Sequence, residues 1–348
     1  MAMLADRFDL VIGVDTHKDS HTAALVSPTG VVLGSLTEGT DARGVGSLVR
    51  FGRTAAGERR LWVLEGTGSY GAGLTAALLG AGETVAEIDR PRRPARRHGA
   101  KSDPLDAIRA AREALGREHL GMPRRRGPRE ALRVLFLARE AAGNERREGL
   151  NRLHALVISA PDELRAELRG LSADQLVRRC AGLRQNDRQS IELRATRRAL
   201  SLVARRVAAA TAQADALEAD LGALVRAQAP TLLAERGVGV IGAAWLLVVW
   251  SHPGRIRSEA AFAFLGGVAP LPASSGQTIR HRLNRGGDRR LNRTLHTIVV
   301  SRLRYDPTSQ AYAARRRAEG LTDAEIRRCL KRFVARRLFR LLEHHVTA

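Results

Sequence analysis

Apolar and polar positions follow two different rhythms along this chain. Through the first 116 residues, short apolar runs are separated by turn residues. The segments FDLVIGVD, HTAALVS and GVVLGSLTE read as three strands joined by tight turns, one of them at Pro28-Thr29-Gly30. Asp41 can cap a helix running to about Arg53, LWVLE is a fourth strand, and GAGLTAALLGAG is a small-residue helix stopped by glycine. TVAEID is a fifth strand. After the basic stretch PRRPARRHGAK, a helix opens at Asp103-Pro104 and runs through Leu115.

From Pro128 to about Gln228 the rhythm becomes helical. Leu193, Leu200, Val203, Val207, Ala210, Ala214, Leu217, Leu221 and Leu224 keep one heptad frame, with Thr196 its polar break. That frame predicts a coiled coil or a long helical hairpin, and an intramolecular hairpin accounts for it as well as an oligomer seam does. Pro230 ends this arm. The remainder holds the apolar stretch ERGVGVIGAAWLLVVW, a helix capped at Ser258, and the small-residue loop GGVAPLPASSG. Two further helices follow, from Gly287 to about Arg304 and from Thr322 to the end, where Thr322 and Glu325 have capping-box spacing. The first block, in the order βββαβαβα, predicts a ribonuclease-H-like α/β domain over 1–127. The helical arm covers 128–229 and a mostly α domain 230–348.

Composition narrows the function. The chain carries 58 Lys and Arg against 36 Asp and Glu, a net charge of +22, and this points to a polyanionic partner. The longest strongly apolar run, Ile241 to Trp250, is half of what a bilayer requires, so nucleic acid is favoured over membrane. The start of the chain has no secretory pattern, and the two cysteines, Cys180 and Cys329, match no metal spacing. Both observations suit a cytoplasmic, nucleoid-associated protein. Only Lys18, Lys101 and Lys331 are lysines, a bias that coding composition explains without function.

Candidate chemistry centres on four acids. Asp15 ends the first predicted strand and Glu65 ends the fourth, and these two are neighbours in a ribonuclease-H-like sheet. Asp103 and Asp106 lie on one face of a helix start. If that helix crosses the sheet, the four carboxylates converge, and such a cluster is relieved by cations, suiting two Mg²⁺ ions. Each acid also has a plainer role open to it. Asp103 can be an N-cap before proline, Asp106 a helix-dipole partner, and Asp15 and Glu65 ordinary loop carboxylates.

The segments GVDTHKDSHTAALV, LEGTGSYG, AKSDPLDA, GVGVIGAAWLL, FLGGVAP followed by SSG, and RGGDRRLNRTLHTIVVSRL occur in an order that resembles the DEDD transposases of the IS-one-ten family, related to the Piv DNA invertase. The resemblance implies a RuvC-like catalytic domain holding Asp15, Glu65, Asp103 and Asp106, a coiled-coil arm, and a C-terminal domain with a catalytic serine at Ser275. Ser274 beside it leaves the assignment open. It also implies a structured guide RNA and donor and target DNA duplexes as partners, with acids and serine meeting across subunits. Because strand exchange must hold two duplexes together, the heptad arm and the resemblance together lead to the expectation of a dimer that pairs into a tetramer on DNA. This chain departs from the family at Glu235-Arg236-Gly237-Val238-Gly239, where an apolar-Pro-Gly turn is usual.

Basic residues surround both centres. From Arg280 to Arg304 there are eight arginines and one acid, Asp288, and from Arg315 to Arg340 ten basic residues face three acids. Arg92, Arg93, Arg96, Arg97 and Lys101 near the acids, with Arg280, Arg282, Arg285, Arg289, Arg290, Arg293, Lys331 and Arg332 near the serine, are the expected phosphate contacts. Few aromatics accompany them, so duplex backbone binding is expected rather than base stacking. Rival readings are a sugar-kinase-like ATPase, which lacks its glycine after Asp15-Thr16, a RuvC-like nuclease or resolvase that does not use Ser275, a protein-guided invertase, and a non-catalytic descendant of a transposase.

Overall fold

The computed structural model describes residues 2–54, 57–88, 103–184, 186, 188–273 and 281–344. The chain forms two compact units, Met1–Arg125 and Arg126–Ala348.

In the first unit a short helix α1 (Leu4–Arg7) precedes β1 (Leu10–Thr16), β2 (Ser20–Val26), β3 (Val32–Gly39), α2 (Ala42–Thr54), β4 (Arg60–Leu64), α3 (Ala72–Gly80), β5 (Thr84–Glu87) and α4 (Asp103–Leu115). The strands form one mixed sheet in the order β3-β2-β1-β4-β5. β1, β2 and β3 pair antiparallel, whereas β1, β4 and β5 run parallel, with Val14 opposite Leu64. Every strand and helix expected here from the period of the sequence is present.

Strand alternation divides the core between the two faces. Leu10, Ile12, Val14, Trp62 and Leu64 pack with Leu48 of α2 and Leu74 of α3. Val11, Leu61 and Val63 pack with Ala110, Ala111 and Ala114 of α4 on the opposite face. Gly13 sits where α4 crosses β1. A Cβ there would lie 2.0 Å from the Ala107 carbonyl oxygen, so only glycine lets the helix rest this close to the strand. On the other face Gly52 lies flat against the Trp62 ring, where a Cβ would come within 2.2 Å. The buried Glu83 accepts from Arg53 Nε (2.8 Å), Arg60 Nε (3.2 Å) and Trp62 Nε1 (3.2 Å). Burial pushes its carboxyl up, but the three donors outweigh it and hold it below the usual carboxylate range.

The second unit is helical. It contains α5 (Pro128–Ile158), α6 (Asp162–Leu168), α7 (Ala173–Ala181), α8 (Ile191–Gln228), α9 (Pro230–Ala234), α10 (Val240–Trp250) and α11 (Glu259–Leu265). A two-residue pair of strands, β6 (Leu271–Pro272) and β7 (His281–Arg282), is followed by α12 (Arg289–Tyr305), α13 (Pro307–Ala318) and α14 (Asp323–His344). α5 and α8 lie side by side and antiparallel: Arg139 meets Glu218 (2.9 Å), and Gly149 gives way to Val207. The heptad residues Leu200, Val207, Ala210, Ala214 and Leu221 are buried, and so are Ala204 and Val225 outside the frame. The stripe is wider than a two-position seam because α8 also packs on α7 and α10.

One core runs from Leu132, Phe136, Leu221 and Val225 through α10 into α12 and α14. α10 is apolar on all sides and buried from Ala243 to Trp250, as a helix of that composition must be. Among the described residues no helix is long and apolar enough to cross a membrane. The turn that departs from the family pattern has its own device. Glu235 is gripped by Arg302 (2.9 Å) and Arg337 (2.7 Å), which hold its carboxyl below the usual range, Arg337 contributing most. Gly237 adopts φ +84, a conformation side chains disfavour, beneath the Ile298 carbonyl.

Candidate carboxylate centre and basic cleft

The carboxylate face follows from the sheet. Odd-numbered residues of β1 and β4 point toward α4, so alternation puts Asp15 on that face, one position beyond Val14. Glu65 follows Leu64 in the same register and is assigned to the same face. The two strand ends are tied together by Thr16, whose hydroxyl donates to the Glu65 carbonyl (2.9 Å). After Glu65 the chain turns at Gly66 (φ +70), which accepts from the Ser69 and Gly71 amides.

The helix α4, seated on Gly13, brings its first turn to this edge. Asp15 and Asp103 are bridged by a histidine: His17 Nε2 lies 3.2 Å from Asp15 Oδ2 and 3.5 Å from Asp103 Oδ1. The three donor atoms all fall within 4.8 Å of one another and form a group able to hold a metal ion. Asp106 belongs to the same field while pairing with Arg109 (2.7 Å). Asp15 is the most enclosed of the three, its side chain 16% exposed against 45% for His17 and 47% for Asp103. Burial pushes its carboxyl above the usual aspartate value, and Asp106 and Asp103 add to the rise, while His17 opposes it. Such a carboxylate is stabilised by a cation. Of the four sequence-predicted acids, Asp15 and Asp103 share this tight group. Asp106 acts on it through space, and Glu65 stands on the neighbouring strand end.

His17 is the residue that the sequence reading left out of the site. The signal was available, because a residue two positions after Asp15 continues on the same side of an extended chain. Arg124 is a second addition, 3.7 Å from Glu87 and close to Gly68 of the turn after Glu65. Arg92, Arg93, Arg96, Arg97 and Lys101 lie outside the described residues.

The C-terminal unit holds a cleft of about 920 Å³. Arg282, Arg285, Arg289, Lys331 and Arg332 line it together with Arg328, although they come from β7, the following loop, α12 and α14. Asparagines fix the loop: Asn284 Nδ2 donates to the Phe264 carbonyl (2.9 Å) and Asn292 Nδ2 to that of Gly266 (2.8 Å). Asp288 caps α12 by accepting from the Leu291 amide (2.7 Å). Lys331 Nζ donates to Asn292 Oδ1 (3.2 Å). Burial lowers its ammonium below the usual lysine range, helped by Arg328 and Arg327. Pairing of Leu271 with Arg282 and of Pro272 with His281 forms the small hairpin. Ser274, Ser275 and Arg280 lie outside the described residues.

Other basic residues have protein partners that the local sequence did not reveal. Arg290 and Arg293 both reach Glu140 of α5 (2.8 and 3.4 Å), and Arg290 lies over the Trp245 ring. Arg336 and Arg340 grip Glu259, and Arg337 grips Glu235. The run from Arg315 to Arg340 is therefore not a single one-signed face. Acids distant in sequence neutralise one side of it, while Arg328, Lys331 and Arg332 face the cleft.

A family model of DEDD-type transposases of IS110 elements matches residues 12–160. A second, for the transposase IS116/IS110/IS902 family, matches residues 229–314. An insertion element IS110 uncharacterized 43.6 kDa protein of Streptomyces coelicolor is 37% identical over 116 residues, 32% of this chain and 29% of that relative. The match thus spans less than a third of the relative's length. One match takes in all four acids and the other the hairpin and α12 side of the cleft, and on these two matches the chain belongs to the IS110 family of transposases.

Proposed function

We propose that this protein is a DNA transposase or recombinase that cuts and rejoins strands with a divalent-metal carboxylate centre in its first unit and a serine in its second. The observation that carries the reading is the approach of Asp103, in the first turn of α4, to Asp15, with Asp106 in the same field and Glu65 at the adjacent strand end. The sheet order β3-β2-β1-β4-β5, antiparallel then parallel, supports a ribonuclease-H-like, RuvC-like domain over 1–127. The α5 and α8 pair supports an arm over 128–229 of coiled-coil character, and 230–348 is read as the serine-bearing domain.

The acids suit a hard cation such as Mg²⁺, two ions being the usual number for phosphodiester chemistry, and bound ions would activate an attacking oxygen and stabilise the leaving one. Asp15, Glu65, Asp103 and Asp106 would hold them. The enclosed Asp15 supports this fit, because its ionised form is disfavoured without a counter-charge. Ser275 is the proposed nucleophile, with Ser274 the alternative. A serine ester of the phosphate keeps the energy of the broken phosphodiester for rejoining, so no nucleotide is required. The cleft arginines and Lys331 would bind the phosphate backbone of a duplex, DNA or an RNA–DNA hybrid. Family likeness extends the reading to a structured guide RNA, a dimer pairing into a tetramer on DNA, and a place at the nucleoid.

The test is a two-plasmid recombination assay with the flanking non-coding DNA supplied, comparing wild type with Asp15→Ala and Ser275→Ala. Loss of product in both, with a covalent protein–DNA adduct that requires Ser275, is the expected result. Recombination that survives Ser275→Ala would turn the reading toward Ser274 or a metal-dependent nuclease. Purification with or without bound RNA separates the guided enzyme from a protein-guided invertase.

A further inference from the structure

We propose that His17 is itself a metal ligand of the carboxylate centre, through Nε2, and that it tilts the site toward a borderline cation such as Mn²⁺ over Mg²⁺. The inference rests on the carboxylate-centre reading above. Its ground is the juxtaposition of one imidazole nitrogen with two carboxylates from separate elements, at 3.2 Å from Asp15 and 3.5 Å from Asp103. Octahedral ligands bonded at about 2.1 Å stand roughly 3 Å apart along an edge. The observed spacings of 3.2 and 3.5 Å lie close to such an edge.

The backbone holds the imidazole in place. The His17 amide donates to the Ser20 carbonyl (3.0 Å), closing the turn between β1 and β2. Thr16 is pinned to Glu65 at its other side, so the residue just before His17 is fixed to the strand that carries the fourth acid. His17 is half-exposed, which leaves its ring open to an ion arriving from solvent. Oxygen-only centres favour Mg²⁺ and Ca²⁺, but an added imidazole raises affinity along the series from Mn²⁺ upward while doing little for Mg²⁺.

The experiment uses the full-length protein loaded with sub-stoichiometric Mn²⁺. Pulsed electron paramagnetic resonance is expected to show nitrogen modulation from a coordinated imidazole in the wild type. The modulation should vanish in His17→Ala and in His17→Gln, and persist in Asp306→Asn. Calorimetry should show Mn²⁺ affinity falling about 10- to 100-fold in the His17 variants, the scale for a lost metal-site partner. Mg²⁺ affinity should change much less. Wild-type Mn²⁺ binding that depends on Asp15 and Asp103 yet shows no nitrogen modulation would overturn the role of His17 alone. Nitrogen modulation that survives in both His17 variants would assign it to another histidine and overturn it too. Mn²⁺ binding indifferent to Asp15→Asn and Asp103→Asn would overturn the carboxylate centre, and this inference with it.

Discussion

Two helices in this chain open on the same dipeptide, aspartate followed by proline, and their aspartates have different surroundings. At the start of α13, Asp306 accepts the Ser309 amide (3.0 Å) and the Ser309 hydroxyl (2.6 Å) on one carboxylate oxygen. The other oxygen lies 3.5 Å from Arg236. At the start of α4, Asp103 instead lies against His17, in the field of the enclosed Asp15. Both place a carboxylate before a proline at the head of a helix, but three residues on α13 has Ser309, which donates to Asp306, where α4 has Asp106. The neighbouring element separates them further. α13 begins beside Arg236, and α4 rests at Gly13 on a strand that carries another acid, Asp15.

The comparison is broken most severely by chemistry. Asp103→Asn is expected to lower strand cleavage on the order of 10²- to 10³-fold, the scale of losing one electrostatic contributor in an active site. Asp306→Asn should stay within a few-fold of wild type in the same assay. Equal losses would dissolve the distinction. Gly13→Ala should follow, costing about 3 kcal/mol in denaturant unfolding, because the new methyl collides with helix backbone that cannot move without lifting α4. It should reduce cleavage as well, since the acids of α4 would leave the sheet edge.

Metal sharpens the contrast. Divalent cation at one hundred times its dissociation constant is expected to stabilise the wild type by about 2.7 kcal/mol. A thermal shift should show this gain in Asp306→Asn and its loss in Asp103→Asn. In the absence of metal the order reverses. Asp306→Ala should cost about 1 kcal/mol as a lost N-cap, whereas Asp103→Ala should be neutral or slightly stabilising because it relieves repulsion at Asp15.

The smallest effect is in pH, and its sign differs between the two sites. The Ser309 hydroxyl, with the Ser309 amide, Arg236 and Arg302, holds Asp306 below the usual aspartate value against the opposing effect of burial. Its contribution is therefore present above about pH 3.9 and is lost as pH falls through the lowered value. Asp15 is raised, so the stability tied to its protonated form is present below about pH 3.9 and is lost as pH rises through the raised value. Metal-free unfolding curves of Asp15→Asn and Asp306→Asn should diverge from wild type at opposite ends of this range.

Much of this was legible in the residues. The period-two runs and their turns specify all five strands of the first unit, and Ser258, Thr322 and Asp41 mark helix starts through caps that form as expected. The four acids were legible as strand-end and helix-start residues. α13 was not anticipated, although Asp306-Pro307 carries the signal that marked α4. The β6 and β7 pair was missed because two residues leave no period to detect. His17 was missed although Asp15 lies two residues before it, because its second partner, Asp103, comes from a helix far along the chain.

By itself, then, the sequence determined which segments become strands and helices, because period, caps and turn residues act over a few positions. It also placed acids at the ends of elements and set the large positive charge. Only the tertiary structure decided which of those charges meet. It brought Asp15, His17 and Asp103 within reach of one ion, directed Arg290 and Arg293 to Glu140, and Arg336 and Arg337 to Glu259 and Glu235. It gathered Arg282, Arg285, Arg289, Lys331 and Arg332 around one cleft. The physical reason is range: hydrogen bonds and excluded volume that shape an element are local, whereas the field at a charge is set by whatever the packing of distant elements places a few ångströms away.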